Sequence, residues 1–130
     1  MNFFVIFIRQ NFVMKRLIVL CAFLWLCIGC EAILEEDISN QHVVILAPTE
    51  NAQLTAGDIN FSWQTLDNAT SYTIQIATPD FTNATQILLN TNIAENSVSA
   101  NLTAGSYQWR VSASNSEYTT EYTTINFTVN

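Results

Sequence analysis

From residue 30 onward the chain has no lysine and a single arginine, Arg110, against eleven acids, a formal charge of −10. The −7 of the whole 130-residue chain is softened by Arg9, Lys15 and Arg16 near its start. A segment with no basic patch cannot displace counterions from a phosphate backbone, so nucleic acid is excluded as a partner. The same charge repels anionic lipid, so attachment to a membrane would have to be covalent or through the N-terminal segment. Catalytic parts are scarce as well. After residue 29 there is one histidine, His42, one cysteine, Cys30, and two glycines, Gly57 and Gly105. That leaves no activated nucleophile with a nearby base, no set of three or four zinc ligands and no glycine-rich phosphate cradle. An Asp-x-Asp calcium loop is also missing. Short loops give paired carboxylates no cleft for sugar hydrolysis. The expectation is a non-enzyme without metal or cofactor.

What is present divides the chain into two textures. Twenty-two of the first 29 residues are apolar. Met14-Lys15-Arg16 followed by Leu17 to Ile28 reads as the basic and apolar regions of a secretory signal peptide. The uncharged run Leu17–Cys30 has fourteen residues, short of the roughly twenty that cross a bilayer core. Translation could start at Met1 or at Met14; Met14–Gly29 alone is a complete signal, which favours the second. Cys21 and Cys27 read as apolar members of this leader. The run Leu26-Cys27-Ile28-Gly29-Cys30 resembles the lipobox of bacterial lipoproteins, with Cys27 where that family usually has an aliphatic residue. The resemblance implies cleavage before Cys30, acylation of Cys30 and a bacterial envelope location, the outer membrane above all, with its face left open. Acyl chains at ~0.8 kcal/mol per buried methylene would hold a small domain there. The chain is therefore expected to divide into a signal peptide over 1–29, a lipidated cysteine and acidic tether over 30–41, and a folded domain over 42–130. A tether with this charge is expected to be extended by self-repulsion.

From His42 the pattern is period-two alternation, rich in Thr, Val, Ile and Tyr and broken every 8–12 residues by turn formers, as in an all-β sandwich. Seven strands are predicted: His42–Ala47, Ile59–Trp63, Tyr72–Ala77, Thr85–Thr91, Val98–Leu102, Tyr107–Ala113 and Ile125–Val129. On the sixth, Tyr107, Trp109, Val111 and Ala113 face inward, with Ser106, Gln108, Arg110 and Ser112 outward. Arg110 is expected to pair with a neighbouring acid. Together, Pro48, Trp63, Tyr72 and the stretch from Leu102 through Tyr107, Val111 and Ala113 to Asn115 resemble the fibronectin type III domain. The resemblance implies a seven-stranded antiparallel sandwich with Trp63 in the core and a Tyr107 hydroxyl tying down the corner after Leu102. It is a resemblance of fold and carries little function. A looser one, over Leu46 to Ala77, is to the first domains of starch-utilisation outer-membrane lipoproteins.

Trp63, Tyr72, Leu102, Tyr107, Trp109 and Val111 are thus the predicted core. Phe81, Tyr118 and Tyr122 do not fit a core phase. Because the loops bearing Phe81 and Tyr118 belong to opposite poles, Tyr118 with Tyr122 is the predicted contact pair for a ligand or partner. Two functions fit: an accessory or protein-interaction module of the envelope, or a small carbohydrate-binding lipoprotein of a glycan-uptake system.

Overall fold

The structure is a computed structural model that describes residues 2–25 and 34–130. It divides into two units, residues 1–34 and 35–130. The first holds one helix, α1 (Asn2–Trp25), along which the Arg16 guanidinium lies 5.1 Å from the Phe12 ring one turn earlier. Among the described residues no helix is long and apolar enough to cross a membrane. Cys27, Gly29 and Cys30, and with them the lipobox reading, lie outside the described residues.

The second unit has eight strands: β1 (Ile45–Ala47), β2 (Ala52–Leu54), β3 (Gly57–Trp63), β4 (Ser71–Thr78), β5 (Gln86–Ile93), β6 (Ser97–Leu102), β7 (Gly105–Ser114) and β8 (Thr123–Val129). They form a three-stranded sheet, β1-β3-β6, and a five-stranded sheet, β2-β8-β7-β4-β5. This is the expected all-β sandwich with one strand more. β2 is absent from the sequence reading and pairs parallel with β8, Ala52 to Leu54 against Phe127 to Val129. Three residues are too few to display alternation, so only the pairing reveals the strand. Gly57 opens β3 at φ 137°, a conformation that a side chain strains.

Alternation buries the predicted faces. Ile59, Phe61 and Trp63 from β3 meet Tyr72, Ile74 and Ile76 from β4, Tyr107, Trp109 and Val111 from β7, and Phe127 and Val129 from β8, with Leu102 from β6. Phe61 meets Trp109 edge to face at 5.1 Å, and Trp63 lies 6.3 Å from Trp109 and 5.6 Å from Tyr72. The Trp109 indole N–H donates to the Pro48 carbonyl at 3.2 Å, tying the end of β1 to the opposite sheet. The Tyr107 hydroxyl donates to the Thr103 carbonyl at 2.8 Å, the corner contact that the sequence implies.

The tether is where expectation and structure part. Residues 35–41 pack as part of the sandwich: Ile38 is 0% exposed and Val43 2%. Asp37 accepts from the Ser39 hydroxyl and backbone N–H, and Gln41 N–H donates to the Ile38 carbonyl, a tight turn that aims Ile38 inward. Those Ser39 bonds, the hydroxyl's first, hold the Asp37 carboxyl below its ordinary pKa. Self-repulsion among exposed acids is screened within about 10 Å, and burying one isoleucine outweighs it.

Two outcomes follow in urea titrations. Trp63→Ala is expected to cost about 3–5 kcal/mol and Tyr107→Phe about 1 kcal/mol, since the latter removes one hydrogen bond. The reverse order would overturn the two assigned roles. Ile38→Ala is expected to cost about 2–5 kcal/mol, whereas a free tether would leave the midpoint unmoved.

Candidate functional site

The outer face of the five-stranded sheet collects the chain's planar polar side chains into cross-strand rows. Gln75 on β4 stands opposite both Asn90 on β5 and Arg110 on β7. Its amide N–H donates to Asn90 Oδ1 at 3.1 Å, and its Oε1 accepts from Arg110 Nε at 2.7 Å. One step along, Gln108 stands opposite Asn126 on β8 and donates to its Oδ1 at 3.0 Å. Asn126 in turn donates to Glu50, through its amide to Oε1 and its backbone N–H to Oε2, each at 3.0 Å. These rows are the polar counterpart of the apolar pairs inside, and directly opposed side chains are what make them.

Two chain segments close over the rows. The loop after β4 is knotted by Asp80, which accepts from the Asn83 N–H, and by Thr85, whose N–H and hydroxyl both donate to the Thr78 carbonyl. Phe81 N–H then reaches Gln108 Oε1 at 2.9 Å, and the Phe81 ring sits 4.0 Å from the Arg110 guanidinium carbon. From the opposite pole, Thr120 is clipped to Ala113 at the end of β7 by two hydrogen bonds, its N–H to the carbonyl and its hydroxyl from the N–H. Two residues later Tyr122, 37% exposed, places its ring 4.4 Å from the same carbon. Arg110 is therefore clamped between two aromatic rings.

This corrects three expectations. Arg110 is held by an amide and two rings rather than by an acid. Phe81 and Tyr122, carried on segments from opposite poles, do share one platform, because each reaches across the sheet to the arginine. Tyr118, read as fitting no core phase, packs half-buried against the core, in a turn built on Asn115. The Asn115 Oδ1 accepts from the N–H groups of Glu117 and Tyr118, while its Nδ2 donates to the carbonyls of Glu36 and Asn68. The pole bearing loops 66–70 and 115–119 does receive the incoming chain, as the topology implies, and that chain occupies it. Trp63, Tyr72, Leu102, Tyr107, Trp109 and Val111 are all buried where the sequence puts them.

Beside the clamp lies a groove of ≈ 360 Å³ lined by Asn51, Gln53, Asp80, Ser106, Asn126 and Thr128, among others. Pro79, Tyr107 and Phe127 complete the wall, which mixes amides, hydroxyls and one carboxylate with apolar surface. Among the described residues no three His, Cys, Asp or Glu side chains gather as a metal site. What this face can do chemically is donate and accept hydrogen bonds from fixed positions and offer one cation.

Among the comparisons, no protein-family model and no curated relative matches the sequence. Solved structures do. The fibronectin(III)-like modules of CbhA from Clostridium thermocellum superpose with a TM-score of 0.50 at 10% identity, over 68% of this chain and 95% of that one. A fibronectin type III domain from the human KIAA0970 protein gives 0.50 at 12% identity, over 68% and 72%. At such identities the likeness is one of fold: residues 35–130 form a fibronectin type III-like β-sandwich.

Glu50 offers a test of the amide row. Its bonds from the Asn126 side chain, and then the Asn126 backbone, hold its pKa below the ordinary glutamate value. A depressed carboxylate contributes stability that is present above its unfolded pKa and lost as pH falls through the folded one. The difference in melting temperature between wild type and Glu50→Ala is therefore expected to be small, since the pair is exposed, and to shrink further below about pH 4. A difference that grows on acidification would contradict the row.

Proposed function

We propose that this chain is a lipid-anchored, non-catalytic lipoprotein of the bacterial cell envelope. Its sandwich acts as an accessory or protein-interaction module through the outer face of the five-stranded sheet. The observation that carries the reading is the Arg110 clamp. Arginine and aromatic side chains supply most of the binding energy at protein interfaces, and here they are gathered at one point of an otherwise polar face. The anchor rests on the lipobox-like run ending at Cys30. With Ile38 buried, the reach between Cys30 and the folded unit shrinks from eleven residues to residues 31–34, about 13 Å fully extended. A domain on so short a leash meets partners that are themselves in or near the membrane, and it meets them with the flank of the sandwich, since its nearer pole is occupied by its own chain.

One observation favours a second reading, a small carbohydrate-binding lipoprotein of a glycan-uptake system. The groove beside the clamp carries amides and hydroxyls, from Asn51, Gln53, Ser106, Asn126 and Thr128, that match sugar hydroxyls, while the Tyr107 and Phe127 side chains in its wall are buried in the core.

Cys30→Ser is expected to abolish the acyl mass on the N-terminal peptide and release the domain from membranes or leave it on an uncleaved leader. A wild-type peptide starting elsewhere without an acyl group would sink the anchor. For the module, photo-crosslinking probes at Thr124, on the outer face of the five-stranded sheet, are expected to capture envelope proteins. Probes at Asn101, on the three-stranded sheet, are not; equal yields would reject the assigned face.

A further inference from the structure

Arg110 has donors that its neighbours do not use. Nε is taken by Gln75, and the Phe81 and Tyr122 rings pack 4.0 and 4.4 Å from the guanidinium carbon. The two Nη atoms make no hydrogen bond among the described residues. Nor are they buried: the one buried side-chain polar atom without a partner there is Trp63 Nε1. The Nη edge therefore reaches solvent. A guanidinium packed against two rings and held at Nε is restrained, so its free edge presents its N–H vectors in a preferred direction. That is the geometry a carboxylate accepts through both oxygens. The rings also exclude water from the faces, which strengthens a charge-assisted bond at the edge.

The neighbourhood narrows the ligand. Ser106, in the groove, and Arg110 lie on the same face of β7, four residues and about 14 Å apart by strand rise, the reach of a short oligosaccharide. Gln108 lies between them. Asp80 makes the groove end anionic, so a negative group is admitted at Arg110 and neutral hydroxyls at the groove. The folded unit carries ten acids against this one cation, so a ligand with a charge on every unit would be repelled.

We propose that this face binds a glycan in which a uronic acid is set among neutral sugars. Its carboxylate lies on the Nη edge of Arg110 and its neighbouring hydroxyls lie in the groove. This deepens the carbohydrate reading above and rests on it. An acidic peptide would satisfy Arg110 equally, but the aromatic residues of the groove wall, Tyr107 and Phe127, are buried in the core and give it little to anchor on.

Affinity electrophoresis tests this with the full chain in non-ionic detergent, run through gels containing glucuronoxylan, unsubstituted xylan or polygalacturonate. Retardation is expected to be strongest with glucuronoxylan. Arg110→Lys, which keeps the charge but loses the fork, is expected to weaken it by about tenfold or more, while Asn101→Ala, on the three-stranded sheet, retains it. Methyl esterification of the glucuronates tests the same contact without altering the protein and is expected to abolish the preference over xylan. Indifference to esterification or to Arg110→Lys overturns the carboxylate assignment and leaves the face as a glycan surface. Tighter binding to polygalacturonate overturns the requirement for spaced charges. No retardation by any of the three overturns this proposal together with the carbohydrate reading; crosslinks from Thr124 would then support the protein-interaction reading by themselves.

Discussion

Trp109 sits where the two sheets touch, and its burial sets the phase of everything built on β7. It meets Phe61 and Trp63 from the facing sheet and donates its indole N–H to Pro48, so three residues, two on β3 and one at the end of β1, fix it at once. Because β7 lies between β4 and β8, it also sets the register of both neighbours. A slip of one residue would bring Gln108 and Arg110 into the core and expose the tryptophan, a loss of several kcal/mol of burial together with an unpaired internal charge. With the phase held, Gln108 and Arg110 are obliged to stand outside, directly opposite Asn126 and Gln75. The amide rows are thus a by-product of the aromatic core.

The second constraint is Asn115. One side-chain amide takes four backbone groups, two as acceptor and two as donor, from three separate segments: its own turn, the loop after β3 and the chain entering at Glu36. Leu66 N–H adds to the pole by donating to the Tyr72 hydroxyl at 2.8 Å. Backbone polar groups at the mouth of a sandwich have no ladder to join, and leaving them dry and unpaired costs more than any single bond gains. Asn115 satisfies them with one residue. The same turn directs Thr120 back along β7 and so delivers Tyr122 to Arg110; the pole and the clamp are mechanically one structure.

How much of this the sequence displays depends on how local the cause is. Alternation is local, so the inward faces of β3, β4, β7 and β8 and the Tyr107 corner are legible residue by residue. β2 is not, because Ala52-Gln53-Leu54 becomes a strand only through β8, more than seventy positions away. Ile38 is a lone apolar residue among Glu35, Glu36, Asp37 and Ser39, and composition makes it a tether. Its burial follows from a two-residue turn and from Asn115, which no window of neighbouring residues contains. The clamp is hidden for the same reason. Assigning Phe81 and Tyr118 to opposite poles is sound topology, but loops are not confined to poles: the Asp80 and Thr78 hydrogen bonds fold one inward over the sheet, and Thr120 does so for the other.

Why the one cation of this unit should be arginine, and should be here, follows from its shape. A lysine ammonium is a hydrated point charge that neither stacks between two rings nor holds a direction. A guanidinium does both: its faces give two loops a common surface, and its edge stays available in water. In a domain otherwise wholly anionic, long-range electrostatics repel negative ligands from every direction, and the attraction of one arginine is felt only within about a Debye length, ~10 Å. Selectivity at such a point cannot come from steering. It has to come from contact: from the fixed fork of Arg110, the Phe81 and Tyr122 walls that hold it, and the row of amides leading to it.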